Sequence, residues 1–268
     1  MKLLEWARAA RTKISGLDAD LIVMHALDFK NRVELILHAN DEYDFSLADR
    51  LLEKRKSGTP VAYLIGYREF YGRNFRVNQN VLIPRPETEQ IIDSAIEIVR
   101  NEKMTHVSIL DVGTGSGCIP VTLKLELAKL GIKTNVLGAD VSRPALELAA
   151  VNAANLLAPV EFIESDLLKS IKKLPDIITA NLPYVDVNWD WTSEELKFEP
   201  ALALYAGDGG LALIKKLIDQ IAKKTDNKKR RFLLLEADTS QHDAIIEYAK
   251  NRKFEHISRD GFIIGFKY

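Results

Sequence analysis

From His106 to the end of the chain, short apolar runs alternate with segments whose apolar residues recur at helical spacing, and this alternation leaves few architectures open. The runs fall at Val107 to Val112, Asn135 to Asp140, Val160 to Glu164, Asp176 to Ala180 and Phe232 to Glu236. Between them, stretches such as Ala145, Leu146, Leu148 and Ala149 carry the periodicity of amphipathic helices. Strands that return through helices pair in parallel, and a parallel sheet needs helices on both faces. The end, Phe254 to Lys267, reads as two strands around Asp260-Gly261, an antiparallel hairpin at the sheet edge.

Ahead of this domain the pattern is helical. Leu17, Leu21, Met24 and Leu27 repeat at helical spacing, Asn31 is placed to cap a helix carrying Val33, Leu35, Ile36 and Leu37, and Ser46 with Asp49 has the spacing of a capping box before Leu51 and Leu52. Gly58 and Pro60 stop that last helix. Tyr63 to Val81 is rich in Tyr, Phe and Val around Gly66 and Gly72 and reads as a β-hairpin. A helix from about Glu87 to Arg100 follows, with Ile91, Ile92, Ala95, Ile96 and Val99 facing inward.

Composition excludes several classes. A chain of 268 residues, 47% hydrophobic and 28% charged, buries one α/β core with residues to spare for a smaller domain. With 37 basic and 38 acidic residues it carries no global attraction for nucleic acid. The run Lys223-Lys224 with Lys228-Lys229-Arg230-Arg231 reads as a solvated loop. One cysteine, Cys118, excludes an internal disulfide, and the five histidines show no ligand spacing, so no metal is expected. No signal segment and no apolar stretch of about 18 residues is found, so the cytoplasm is the expected compartment.

Two stretches at predicted strand ends carry the chemistry. The first is Asp111-Val112-Gly113-Thr114-Gly115-Ser116-Gly117-Cys118, whose alternating glycines let the backbone approach a ligand closely before a helix begins. Cys118 stands where the dinucleotide fingerprint needs its third glycine, which favours a nucleoside cofactor smaller than NAD. Asp140, ending the second strand, is placed to accept hydrogen bonds from ribose hydroxyls, or to cap the helix before Arg143-Pro144. Asp166 is a candidate acceptor for an adenine amine, with Leu167 as an apolar lid; it too has a helix cap as its alternative.

The second stretch is Ala180-Asn181-Leu182-Pro183-Tyr184. A planar NH2 group is a poor nucleophile because its lone pair is delocalised, so it must be held and polarised. The Asn181 side-chain carbonyl and the Leu182 main-chain carbonyl are each suited to accept one N–H, while Tyr184 offers a flat face. Pro183 restrains Leu182 to an extended conformation that fixes where its carbonyl points.

Taken in order, the glycine loop, Asp140, Asp166 and Asn181-Leu182-Pro183-Tyr184 resemble the amino-group methylating branch of the class I S-adenosylmethionine-dependent methyltransferases. Two further stretches narrow the resemblance to the HemK/PrmC family of release factor glutamine methyltransferases. One runs from Arg55 through Gly58, Pro60, Tyr63, Gly66 and Arg68-Glu69-Phe70-Tyr71-Gly72 into Val81-Leu82-Ile83-Pro84-Arg85-Pro86-Glu87-Thr88-Glu89. The other is Phe198-Glu199-Pro200-Ala201-Leu202-Ala203-Leu204.

The resemblance implies a Rossmann-like, mostly parallel sheet with a C-terminal antiparallel hairpin and a small helical N-terminal domain. It divides the chain into a substrate-docking domain over 1–62, a hairpin linker over 63–84 and a methyltransferase domain over 85–268. S-adenosylmethionine is the implied cofactor, held by Gly113, Thr114, Gly115, Ser116, Gly117, Asp140, Asp166, Leu167 and Asn181. Asn181, Leu182, Pro183 and Tyr184 are the implied catalytic and substrate-binding residues. The implied reaction methylates the glutamine amide in the Gly-Gly-Gln loop of class 1 peptide release factors, by a monomeric chain that uses neither membrane nor nucleic acid. Adenine N6 methylation of nucleic acid is the alternative, because a flipped base presents the same planar NH2. The sequence departs from the family pattern at Leu182, usually proline, at Gly209, usually acidic, and after Asp260-Gly261, where an arginine is missing.

Overall fold

The computed structural model describes residues 1–186, 188–189, 194–225 and 229–268. These form two compact units, one of Met1–Tyr67 with Glu194–Phe198, the other of the remaining described residues.

The first unit is helical: α1 (Leu3–Arg11), α2 (Gly16–Ala26), α3 (Arg32–Leu37), α4 (Ser46–Lys56) and α5 (Val61–Ile65). Its core stacks the Trp6 and Phe45 rings at 5.4 Å, with the Trp6 Nε1–H donating to Asp49 at 2.7 Å. That bond takes Asp49 away from the expected capping box. Asp44, two residues ahead of the first helical residue, instead accepts the Ser46 N–H at 2.9 Å.

The buried face of α2 keeps only Met24 of the expected set. It is Ala19, Ile22, Val23 and Met24, while Leu17 is 53% exposed; Asp18 lies on the buried side because Arg55 pairs with it at 2.7 Å. Asn31 does cap α3, accepting from Val33 N at 2.9 Å, yet Val33, Ile36 and Leu37 stay exposed. Residues 63–65, expected in the hairpin, close α5 instead. Pro60 at its N-cap and left-handed Gly66 at its C-cap leave room for a single turn.

The second unit opens on the hairpin of β1 (Tyr67–Phe70) and β2 (Arg73–Arg76), whose Phe70 and Phe75 are fully buried. The 3-10 turn Pro86–Thr88 leads into α6 (Glu89–Asn101), which buries Ile91, Ile92, Ala95, Ile98 and Val99; Ile96, expected inward, is only half-buried. Then come β3 (His106–Val112), α7 (Cys118–Lys129), β4 (Lys133–Asp140), α8 (Arg143–Asn155), β5 (Glu161–Glu164), β6 (Ile177–Ala180), α9 (Ala201–Leu204), α10 (Ala212–Lys224), β7 (Phe232–Glu236), α11 (His242–Lys250), β8 (Glu255–Asp260) and β9 (Ile263–Lys267).

The seven-stranded sheet has the order β5-β4-β3-β6-β7-β9-β8, parallel except at β9, which runs antiparallel to both its neighbours. This is the expected α/β class. Period-two alternation sends Leu110, Ile178, Leu233 and Leu235 to a core shared with Ile214, Leu217, Ile218 and Ile221 of α10. Their neighbours Ile109, Ile177, Phe232 and Leu234 join α6 and α7 on the opposite face. Within the expected basic loop, Lys224 donates to the carbonyls of Leu168 (2.8 Å) and Ile171 (2.5 Å), and Lys229 pairs with Asp176; Lys228 lies outside the described residues.

Candidate active site

Strand order reverses at β3, which has β4 on one side and β6 on the other. Ligands of open α/β sheets bind beyond the carboxyl ends of strands at such a switch point. Val112 of β3 pairs in register with Ala180 of β6, so Gly113 and Asn181 leave the sheet side by side. A cavity of about 300 Å³ opens there, walled by Gly113, Thr114, Gly115 and Ser116 after β3, Asp140 at the end of β4, Asp166 and Leu167 after β5, and Asn181, Leu182 and Pro183 after β6. Ten of the twelve predicted site positions thus converge on one space. Gly117 and Tyr184 are not among its walls.

The glycine loop is held by the strand beside it. Gly113 and Thr114 donate to the Ala139 carbonyl at 2.8 and 3.0 Å, and Gly115 N–H donates to Asp140 Oδ2 at 2.9 Å. Ser142 N–H takes Asp140 Oδ1 at 2.8 Å, so this carboxylate already organises two backbone amides beside the cavity. All three glycines have positive φ, and each serves differently. A Cβ on Gly113 would lie 3.0 Å from Leu182 Cδ2, one on Gly117 would lie 3.0 Å from Ala149 Cβ, and one on Gly115 would meet nothing within 4 Å. Gly115 therefore borders open space, while Gly113 and Gly117 permit close packing. Behind the loop, buried Asn152 donates to the carbonyls of Ser116 (2.9 Å) and Arg76 (3.0 Å).

Asp166 faces the cavity with its charge already shared. Lys169 pairs with it at 2.7 Å and Lys216 donates to both oxygens at 2.8 Å, and these ammonium groups hold its carboxyl below the usual carboxylate range.

Beneath the Asn181 loop lies a buried polar layer. Asn181 Nδ2 donates to Thr88 Oγ1 at 3.1 Å, and the Tyr184 hydroxyl donates to Glu236 Oε1 at 3.3 Å. Glu236 is 1% exposed, and burial pushes its carboxyl up to about 7. Gln241 Nε2 donates to the carbonyls of Tyr184 and Gly209, both at 2.8 Å. Thr88, Asn152, Glu236 and Gln241 escape the sequence reading. A signal existed for Glu236: it is the one charged residue ending the otherwise apolar run Phe232-Leu233-Leu234-Leu235, at a carboxyl strand end.

On the opposite wall, Arg85 and Glu199 form an ion pair, and Ile83 N–H donates to the same carboxylate at 3.0 Å. This fixes the Ile83-Pro84-Arg85 turn against Pro200, whose successors Leu202 and Ala203 also line the cavity. Arg85 thus holds this loop through Glu199.

The PrmC N-terminal domain family matches residues 2–66 and the methyltransferase small domain family matches residues 89–216. A release factor glutamine methyltransferase from Koribacter versatilis (strain Ellin345) is 39% identical over 225 residues, 81% of this chain and 78% of the relative. One from Neisseria gonorrhoeae is 36% identical over 242 residues, covering 87% and 84% of the two chains. Among solved structures, the hMettl16 catalytic domain superposes with a TM-score of 0.54 at 16% identity, over 78% of this chain and 80% of that one. A ribosomal protein L11 methylase from Lactobacillus delbrueckii subsp. bulgaricus gives 0.50 at 21% identity, over 75% and 88%. Those two likenesses speak for a methyltransferase fold, and the sequence matches, which run through both units, go further: this chain belongs to the release factor glutamine methyltransferase family.

Proposed function

We propose that the protein methylates the side-chain amide nitrogen of the glutamine in the Gly-Gly-Gln motif of class 1 peptide release factors, using S-adenosylmethionine. The observation that carries this reading is the Val112–Ala180 register, which sets the glycine loop and the Asn181 loop on one cavity in a chain of this family.

The cavity suits the cofactor. Its glycine wall at Gly115 leaves room for a nucleoside backed onto main chain, Asp140 presents a carboxylate to diol hydroxyls, and Val141 and Leu167 are apolar neighbours for a flat base. Asp166, shared by two lysines, is proposed to accept an adenine amine through its remaining lone pairs. Bound there, S-adenosylmethionine supplies a methyl group on a positively charged sulfur, an electrophile that needs no further activation.

The chain's own task is alignment. Asn181 Oδ1 and the Leu182 carbonyl each accept one N–H of the substrate amide and turn its lone pair toward the donor. As the nitrogen gains positive charge its N–H groups become stronger donors, so these two carbonyl dipoles favour the transition state over the ground state. The surplus proton leaves to water. Pro183 holds Leu182 extended, and Tyr184, anchored through its hydroxyl, closes the loop.

Residues 1–62 are proposed to dock the release factor, 63–84 to link, and 85–268 to carry the chemistry. Exposed Val33, Ile36 and Leu37 on α3 support the first assignment. The protein is proposed to act as a cytoplasmic monomer on protein rather than nucleic acid, in keeping with its balanced charge. The test incubates it with labelled cofactor and, separately, a release factor, the same factor with its motif glutamine replaced, and RNA. One methyl group on the motif glutamine is expected by mass spectrometry. Label on RNA instead would assign the activity to adenine.

A further inference from the structure

An asparagine side chain has two nearly isosteric ends with opposite hydrogen-bonding character, and only the oxygen end accepts an N–H. Alignment of a glutamine amide therefore requires Asn181 to be held one way round. Its neighbour Thr88 cannot impose this alone, because a hydroxyl both donates and accepts. Thr88 Oγ1 would accept from Nδ2, as it does at 3.1 Å, or donate to Oδ1 if the amide were turned over.

The group that breaks the tie lies one layer deeper. Glu236 is 1% exposed and accepts from the Tyr184 hydroxyl at 3.3 Å; among the described residues its Oε2 has no hydrogen-bond partner, and the Thr88 and Asn181 side chains nearby favour its charged form. An ionised carboxylate only accepts. The Tyr184 hydroxyl donates to it, and its unpartnered oxygen favours a Thr88 hydroxyl proton and an Asn181 Nδ2 end turned its way. With the Thr88 proton committed inward, the Thr88 oxygen is left to accept from Nδ2, and Oδ1 faces the cavity.

Building on the proposed glutamine reaction, we propose that Glu236, acting through Thr88, is a positioning residue that sets the polarity of Asn181, so that the site offers an acceptor to the substrate amide only while Glu236 is ionised. Once protonated, Glu236 becomes a donor, the Thr88 hydroxyl is free to turn, and the amide loses its bias.

Burial places this switch in the neutral range, with the Glu236 carboxyl pushed up to about 7. The other ionisable groups around it are Glu87 before α6, Tyr184 after β6 and Cys118 at the start of α7, with Arg85 and Asp238 beside Tyr184. Glu87 raises the Glu236 carboxyl further, while Tyr184 and Cys118 are themselves raised and stay neutral at these pH values. Methyl transfer should therefore be present above about pH 7 and fall as pH drops through it.

The test follows single-turnover transfer to the release factor across pH 5.5 to 9, roughly the span in which such a carboxyl titrates, alongside cofactor affinity by calorimetry and the thermal midpoint. Glu236→Gln should lower transfer on the order of a hundredfold, remove the rise through neutral pH and leave cofactor affinity within about twofold, under 0.5 kcal/mol. Glu236→Asp should keep the rise at reduced rate. Thr88→Val should reproduce the loss and Thr88→Ser should restore transfer, which keeps the idea testable if the Gln variant folds poorly. Full transfer with an unchanged pH profile in Glu236→Gln or Thr88→Val, or parallel loss of transfer and cofactor binding, would overturn it. A wild-type enzyme that leaves the motif glutamine unmethylated overturns the substrate reading first and this inference with it.

Discussion

Glu199 receives the Arg85 guanidinium and the Ile83 backbone N–H on a carboxylate whose side chain is 1% exposed, so one buried charge ties two walls of the cavity together. Arg85 is one-third exposed, and removing it would strand that charge. Arg85→Met should lower stability by about 1–3 kcal/mol in urea unfolding. Glu199→Gln should cost less, because its carbonyl still accepts from Ile83.

Gly210 has φ +83°, and a Cβ there would fall 1.9 Å from the Tyr184 carbonyl oxygen and 2.4 Å from Gln241 Nε2. The collision is with backbone, which cannot swing aside. Gly210→Ala should therefore cost on the order of 3 kcal/mol or more and disturb the loop that carries Asn181. Denaturant midpoints check the first effect and methyl transfer the second.

Leu182 stands where the family usually has proline, and its side chain is 3% exposed, packed in the sheet core against Gly113. Its carbonyl, held by Pro183, is the group proposed to accept the substrate amide. Leu182→Pro should keep transfer within about tenfold while lowering stability by about 1–2 kcal/mol. Asn181→Ala should instead cut turnover on the order of a hundredfold with cofactor affinity nearly unchanged. Parallel kinetics and thermal melts on the two variants separate chain-holding from chemistry.

Asp111 is fully buried between Thr114 and Thr179, whose hydroxyl donates to it at 2.7 Å, and burial pushes its carboxyl up to about 7 from an ordinary 3.8. A carboxyl raised on folding favours the protonated native state. Its contribution is complete below about pH 4 and is lost as pH rises through about 7. Asp111→Asn should flatten the decline in melting temperature between about pH 4 and 7, a difference on the order of a few kcal/mol at most.

Strand and helix order could be read from the sequence because burial on both sheet faces imposes apolar runs, as in Ile177-Ile178 and Phe232-Leu233-Leu234-Leu235. The walls of the cavity were legible too, since Gly113, Asp140, Asp166 and Asn181 each lie at or just past the carboxyl end of a strand. What supports them was not. Thr88 meets Asn181 across 93 residues and Gln241 meets Tyr184 across 57, and no local period announces a contact made by sheet order alone. The short helix α5 and the turned face of α2 failed to show for a related reason: Gly66 and the Asp18–Arg55 pair outweigh the apolar spacing.

Cys118, the single cysteine of the chain, is buried at the start of α7, and burial pushes its thiol up to about 12. Since only the thiolate reacts, the folded chain should resist alkylation at neutral pH. Labelling must wait for the glycine loop and α7 to open, so the modification rate of this one sulfur is a built-in clock for how often the glycine-loop cradle unlatches. A ligand seated on Gly115 should slow that clock by the factor with which it favours the closed cradle.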